Sequence, residues 1–420
     1  MATRAERAAR ALQPGHDVRL LTGGTAYFDA LIAAIDAARA EVLLETYIFD
    51  FAGRPGDVAE ALARAAARGV CTQVVVDGFG TGGIPAAWEA RWKDRGVQWR
   101  IFNPVRGWRM LLPRGWRRLH RKLCVVDGAV AFCGGINLLD DFHDPNHGAL
   151  DEPRFDFAVR VTGPLVADVH ETMVRLWLRL QAVREAGQPD VRSLLETVRR
   201  AARAGTDAEA PRVSSDDFAA DARSPHAGML AGLLLRDNVR FRKRIEYFYR
   251  YAVNQARREI TIANAYFVPG IALQRALVRA RKRGVKITLL LQGRYEYFMQ
   301  HHTTRALYGV LLDAGIEIVE YAPSFLHAKV AVFDTAEGAI ATVGSSNLDP
   351  ISLLLAREAN VFVRDDRFAG ELKAALDAAL AAGKRVESKA YLARSFRGRA
   401  LSWLAYAFMR VALFATRHRY

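Results

Sequence analysis

Two segments of this chain carry a histidine, a lysine and an aspartate at identical spacing: His120-Arg-Lys122 followed by Asp127, and His327-Ala-Lys329 followed by Asp334. Glycine and asparagine come next in both, as Gly134-Gly135-Ile136-Asn137 and as Gly344-Ser345-Ser346-Asn347. On an extended segment, residues two apart share a face, so each copy presents an imidazole beside an ammonium group. Imidazole titrates near neutrality and can act as nucleophile or as proton donor. A phosphodiester resists attack because its anionic oxygens repel nucleophiles; its cleavage needs cations on those oxygens, a nucleophile, and an acid for the leaving group. Two copies supply that set without a metal, whereas one copy supplies only one of the two histidine roles.

The elements that must position these groups recur in the same order. Ala26 to Ala38 has helical spacing, Glu41 to Phe49 is a buried strand, Val58 to Arg68 is a helix stopped by Gly69, and Cys71 to Val76 is a second strand. Glu259 to Phe267, Leu273 to Arg283 with Gly284, and Val285 to Leu291 repeat that series about half a chain later. Strands alternating with helices indicate α/β domains, here two in tandem. Ala182 to Pro225 is rich in Ala, Arg, Asp, Ser and Pro, and its centre is an expected exposed connection. The expected divisions are an extension over 1–17, a first domain over 18–205, a linker over 206–225, a second domain over 226–386 and a tail over 387–420.

Composition narrows the partners. The 420 residues are 51% hydrophobic and carry 60 Lys+Arg against 45 Asp+Glu, a formal charge of +15, which excludes a disordered or collagenous chain and predicts a polyanionic partner. Cys71, Cys124 and Cys133 are an odd number without CxxC or zinc-finger spacing, so a reducing compartment is expected. No run of about 18 uncharged apolar residues occurs and the first ten residues lack the apolar core of an export signal, so neither a cleaved signal nor a clear membrane span is expected. Residues 107–118 mix Trp108, Trp116 and leucines with arginines, and residues 400–415 form an apolar stretch, with Trp403 and Phe408, flanked by arginines. Both suit contact with an anionic membrane surface. His143 and His147 lie in a Pro- and Asn-containing loop that fits a substrate rim better than a metal site.

The duplicated motif and the stretches Leu43 to Phe49, Arg118 to Gly128, Ala131 to Asn137, Ala263 to Pro269 and Thr342 to Ser352 resemble the phospholipase D superfamily, and within it the bacterial cardiolipin synthases, especially the B type. The resemblance covers about Val18 to Val386. It implies two tandem phospholipase D-like domains, each a mixed β-sheet flanked by helices, related by a pseudo-two-fold axis that brings the motifs together. It implies further that His120 attacks phosphorus to give a phosphatidyl-histidine, that His327 protonates the departing alkoxide and then deprotonates the incoming alcohol, and that Lys122, Lys329, Asn137 and Asn347 bind the phosphoryl oxygens. Asp127 and Asp334 complete the motif and count with its catalytic set, although their odd interval from lysine turns them to the other face, where a structural or ion-pairing role fits. Each imidazole needs an orienting carboxylate, and Asp156 and Glu358 stand where the family carries such acids. The first copy has Gly135 where many members have serine, as cardiolipin synthases do, so a phosphate-binding hydroxyl can come only from the second half, with Ser345 as the candidate.

Two molecules of phosphatidylglycerol are the implied substrates, with phosphatidylethanolamine as another donor; no metal, cofactor or nucleic acid is expected. The implied location is the cytoplasmic face of a bacterial inner membrane, as a peripheral protein. A nuclease or other phosphodiesterase is the rival that the same groups allow, and a membrane-binding scaffold with a dead site is the rival of another class.

Overall fold

The structure, a computed structural model, describes residues 12–104, 113–144, 147–186, 228–237, 243–349, 356–388, 391, 402 and 404–409. The expected linker over 206–225, Trp108 and Trp403 lie outside these residues. In the first half the strands are β1 (Gln13–Thr22), β2 (Glu41–Thr46), β3 (Cys71–Asp77), β4 (Gln98–Phe102), β5 (Arg118–Leu119), β6 (Lys122–Val126), β7 (Val130–Gly134), the small pair β8 (His143–Asp144) and β9 (Gly148–Ala149), and β10 (Phe157–Thr162). In the second half they are β11 (Met229–Arg236), β12 (Ala256–Asn264), β13 (Lys286–Gln292), β14 (Glu317–Tyr321), β15 (Lys329–Thr335), β16 (Ile340–Gly344), β17 (Ala356–Arg364) and β18 (Lys384–Arg385). Helices α1 (Gly23–Ala37), α2 (Gly53–Ala67), α3 (Ala86–Arg95) and α4 (Leu165–Ala186) belong to the first half; α5 (Arg244–Gln255), α6 (Ile271–Lys282), α7 (Phe298–Ala306), α8 (Tyr308–Asp313) and α9 (Asp366–Ala381) belong to the second.

Strand order exposes the duplication. Outward from the middle, one half runs β1-β10-β7-β6-β2-β3-β4 and the other β11-β17-β16-β15-β12-β13-β14, and the halves join where β1 pairs antiparallel with β11. The two series match strand for strand, as a pseudo-two-fold axis between β1 and β11 requires. Each half thus has its mixed sheet flanked by helices, as expected, and the two run on into one continuous sheet. Residues 13–17, assigned from sequence to an extension, begin β1: Gln13 pairs with Ala231 and His16 with Met229. Their polar Gln-Pro-Gly-His run hides a strand whose partners come from the distant half.

The cores follow the same plan. Buried Val58, Ala59, Leu62 and Ala65 line one face of α2, and Gly69 ends that turn at φ 91°, a conformation open to glycine. With α1 and α3 they cover the outer face of the first half-sheet, as Phe248, Leu273 and Leu277 of α5 and α6 cover the second. A third cluster is shared: Val169 and Met173 of α4, Leu372 and Leu376 of α9, and residues of both half-sheets, including Leu123, Val125, Val330 and Val332, pack into one body. The halves meet through apolar burial as well as through the sheet.

Candidate active site

β6 and β15 occupy equivalent positions in the two series, and each begins at its motif lysine, with the histidine two residues upstream. The chain just before each histidine pairs with the opposite half. Arg118 and Leu119 of β5 run parallel to Ala356 and Arg357 of β17, and the His120 N–H donates to the Arg357 carbonyl at 3.0 Å. In the mirror arrangement Leu326 bridges Phe155, and the His327 N–H donates to the Phe155 carbonyl at 3.0 Å. The residues that follow these two carbonyls are Glu358 and Asp156. Each imidazole thus meets the carboxylate of the other half: His120 Nδ1 lies 3.1 Å from Glu358 Oε2, and His327 Nδ1 lies 2.6 Å from Asp156 Oδ2. These contacts fix the ring orientations and leave each Nε2 to face the reaction space.

The lysines lie just behind. Lys122 Nζ donates to the His120 carbonyl at 2.7 Å, and Lys329 Nζ donates to the His327 carbonyl; both side chains are buried. The Tyr47 ring packs 4.8 Å from the His120 ring and sits 5.4 Å from the Lys122 ammonium. Both imidazoles and residues Asn137, Asn347 and Asp156 line one cavity of about 600 Å³.

Electrostatics in this cavity favour an anion. Burial pushes Lys122 down to about 7, with Lys329 adding to the shift and Glu358 opposing it. Lys329 is lowered for the same first reason. His327 falls to about 3 through burial and Lys329, against Asp156, and His120 is also lowered by burial despite Glu358. Burial works to raise Asp156 and Glu358, but the imidazole and ammonium beside each outweigh it and hold both carboxyls below their usual range. Cations that surrender protons when the cavity is empty regain them when a phosphodiester supplies negative charge.

The Gly135 departure has a steric cause. A β-carbon there would lie 2.3 Å from Asp156 Oδ1, so serine cannot stand in the first half while Asp156 reaches His327. In the second half Ser345 fits, because Glu358 is one methylene longer and Ser345 Oγ donates to Glu358 Oε2 at 2.5 Å. That bond corrects one expectation: the Ser345 hydroxyl is fully buried behind the dyad, not presented to a phosphate.

Two further members of the expected set stand apart from the cavity. Asp127 adopts φ 52° in the turn between β6 and β7, and its carboxylate accepts the N–H groups of Arg39, Ala40 and Glu41 at 2.8–2.9 Å. It pins the hairpin to the end of α1, a use suited to aspartate, which tolerates the left-handed region. Asp334 pairs with Arg258 at 2.7 Å on the surface. Neither lines the cavity, so the reading that turned them to the opposite face describes them and their place in a catalytic set does not.

His147 Nδ1 contacts Asp144 Oδ1 at 2.9 Å, Arg154 donates to the same carboxylate, and Asp144 lines the cavity, so this loop forms part of its rim. Trp116, expected at a membrane, lines the cavity mouth and is 42% exposed; Phe408 is 67% exposed on the C-terminal segment. Sequence reasoning missed Tyr266, Glu296 and Asp349, which line the cavity from the second half. Asp349 could have been found as the second residue beyond Asn347; Glu296, in a loop between β13 and α7, gave no signal.

Comparison with known proteins fits this geometry. The family model described as "Cardiolipin synthase, PLD-like domain" matches residues 31–150 and 249–380, the two motif-bearing halves. Cardiolipin synthase B of Escherichia coli (strain K12) is 34% identical over 399 residues, covering 94% of this chain and 88% of that protein. Cardiolipin synthase A of Pseudomonas putida (strain GB-1) is 30% identical over 360 residues, covering 85% of this chain and 67% of that protein. The crystal structure of a phosphatidylserine synthase from Haemophilus influenzae superposes with a TM-score of 0.65 over 98% of both chains at 12% identity, which speaks for the fold alone. By the paired motifs, the duplicated sheet and these matches, the chain belongs to the PLD-like cardiolipin synthase family.

Proposed function

We propose that this protein is a phosphatidyltransferase that makes cardiolipin, moving a phosphatidyl group from one phosphatidylglycerol to another and releasing glycerol, with phosphatidylethanolamine as an alternative donor. The observation that carries the reading is the pair of histidine–carboxylate dyads, each built from both halves, on one cavity. His120 Nε2 attacks phosphorus and the bond to the headgroup oxygen breaks, while His327 gives its proton to the departing alkoxide. His327 then takes the proton of the incoming alcohol, whose oxygen attacks phosphorus as the phosphorus–nitrogen bond breaks. Lys122 and Lys329 stabilise the charge on the phosphoryl oxygens, and Asn137 and Asn347 donate from the cavity wall.

The division of roles rests on the two dyads being unequal. Glu358 Oε2 divides its charge between His120 and the Ser345 hydroxyl, whereas Asp156 Oδ2 faces His327 at 2.6 Å. The closer carboxylate suits His327 to hold a transferred proton once an anion is bound, although burial and Lys329 otherwise keep its ring neutral. His327 becomes an acid only when the phosphodiester anion enters, so protonation is coupled to binding.

A lipid substrate demands access to a bilayer. Tyr297 lines the cavity, Tyr295 and Phe298 flank it in sequence, all three are exposed, and Leu404 and Phe408 are exposed beside them, where Ser402 meets His302 of α7. With Trp116, which also lines the cavity and is exposed, these apolar groups suit insertion among lipid headgroups. Among the described residues no helix is long and apolar enough to cross a membrane. The protein is placed, on this reading, peripherally on the cytoplasmic face of the bacterial inner membrane.

The test is incubation of the purified full chain with labelled phosphatidylglycerol vesicles, with and without phosphatidylethanolamine, in the presence of a chelator. Labelled cardiolipin formed by the native protein and absent with His120→Ala is the expected result. DNA cleavage without a lipid product would replace the reading with a nuclease, and a cellular phenotype that survives His120→Ala would replace it with a scaffold.

A further inference from the structure

The pseudo-symmetry of the cavity is broken at two equivalent pairs of positions. The isolated bridges Phe49 to Leu138 and Phe267 to Leu348 align the halves, so Ile48 corresponds to Tyr266 and Leu139 to Asp349. All four line the cavity, so at these two positions the first half is apolar where the second carries a phenol and a carboxylate. Glu296 strengthens the difference, since Tyr266 Oη donates to its Oε2 at 2.5 Å. Glu296 and Asp349 act electrostatically on Lys329, which places the polar wall on the His327 side.

Asp141 and Asp144 also line the cavity, but Asp144 meets Arg154 and Asp141 accepts the Gly24 N–H. The two lysines lie just behind the imidazoles, and burying the second-half carboxylates as well is costly. The wall also holds an unmet acceptor: Asn347 is 4% exposed, and its Oδ1 is buried without a hydrogen-bond partner. Its counterpart, Asn137 Oδ1, accepts the Ile48 N–H at 3.3 Å. A ligand group that satisfies a carboxylate, a phenol oxygen and an unpaired amide oxygen together must offer several O–H or N–H donors close to one another. The Asn347 amide carries N–H donors beside its oxygen, so the wall presents donors as well as acceptors. A hydroxyl answers such a mixed wall because it both donates and accepts, whereas an ammonium group only donates.

Resting on the phosphatidyl-transfer reading, we infer that the Tyr266, Glu296 and Asp349 wall is the subsite for a small polyol, the glycerol-like alcohol that leaves or enters, while the diacyl portion of the lipid lies toward Ile48 and Leu139. The polyol hydroxyl nearest phosphorus then falls beside His327, the group assigned to exchange its proton.

The experiment uses the full chain on vesicles containing phosphatidyl-p-nitrophenol, whose leaving group has no hydroxyl beyond the ester oxygen. Nitrophenol release reports attack on phosphorus; the split of product between phosphatidic acid and phosphatidyl alcohol reports acceptor capture as glycerol, ethanolamine or 1-propanol is titrated. Glu296→Gln, Asp349→Asn and Tyr266→Phe are each expected to raise the half-capture concentration of glycerol about tenfold relative to that of 1-propanol in the same variant, whatever each does to nitrophenol release. An unmoved glycerol curve in all three variants overturns the inference, as does a rise for ethanolamine equal to or above that for glycerol. A native protein that releases no nitrophenol and captures no alcohol overturns the phosphatidyl-transfer reading itself, and the subsite falls with it.

Discussion

Replacing Gly135 with serine restores the residue that the second half carries at the equivalent position, and it should nonetheless damage the enzyme. The new β-carbon would stand 2.3 Å from Asp156 Oδ1, 2.8 Å from Oδ2 and 2.9 Å from Cγ, while ordinary contact begins near 3.4 Å. The carboxylate must therefore withdraw by about 1 Å, because the glycine backbone is held in place by the Gly135 N–H bond to the Phe157 carbonyl. Such a withdrawal stretches the 2.6 Å contact between Asp156 and His327 beyond hydrogen-bonding distance. A hydrogen bond to a charged group contributes about 1.5–3 kcal/mol, so if the contact matters most when His327 is an imidazolium, kcat falls roughly 10- to 150-fold. Cardiolipin formation at saturating lipid, with circular dichroism to establish folding, measures this directly. Gly135→Ala should lose as much, since the β-carbon and not the hydroxyl is the obstacle. Adding Asp156→Glu to Gly135→Ser rebuilds the Ser345 and Glu358 arrangement and should recover at least fivefold of the loss. Full activity in the folded single variant, or a double variant as poor as the product of the two singles, would refute the steric coupling.

Other perturbations separate structural roles from chemical ones. Lys122, lowered to about 7 mainly by burial, is charged below that pH and neutral above it, so kcat/KM should decline through about pH 7 and above; the kcat profile should hold to higher pH because the bound anion favours the charged form, and coincident limbs would show that Lys122 does not meet the phosphate. Asp127→Ala removes the acceptor of three backbone N–H groups and a left-handed turn residue, and should cost about 1–3 kcal/mol of stability in denaturant unfolding while folded protein keeps its kcat. Loss of turnover without loss of stability would restore the aspartate to the chemistry. Phe298→Ser with Phe408→Ser should reduce sedimentation with anionic vesicles and raise the lipid concentration at half-maximal rate, leaving turnover of detergent-dispersed lipid unchanged; the same goes for removal of residues 395–420, and unaltered sedimentation of both would place the membrane contact elsewhere.

What the sequence disclosed depended on periodicity and repetition. Alternating strands and helices, recurring with the same stop signals at Gly69 and Gly284, made the α/β class and the tandem plan readable. The fusion of two sheets into one was not, because β1 and β11 meet through register between residues more than two hundred positions apart and β1 opens with a polar run. At the site, His120, His327 and their lysines stood out because strand parity aligns them; parity also turned Asp127 and Asp334 away from them. The orienting acids Asp156 and Glu358 were named through resemblance, but which imidazole each serves was hidden, since that depends on chain crossing between halves. Ser345 was misplaced for a related reason: its hydroxyl answers to Glu358, a partner revealed only by packing.

The crossing of partners explains why the duplicated halves are welded rather than loosely tethered. A half on its own would carry a histidine without its carboxylate and a carboxylate without its histidine, and would present β1 or β11 as an unpaired edge. Glu358 and Asp156 are buried, so each half would also face the burial of an anion whose cationic partner lies in the other half. Small rotations between the halves would change both dyads at once, because the His120 N–H to Arg357 and the His327 N–H to Phe155 bonds belong to the interface itself. A shared apolar cluster under α4 and α9 suppresses such rotations better than surface contacts could, since side chains packed on both faces of the junction must move together. The same welding allows asymmetry to accumulate safely: Gly135 with Asp156 and Ser345 with Glu358 are alternative solutions to one spatial problem, and each can diverge toward acid or nucleophile duty without loosening the frame that holds the other.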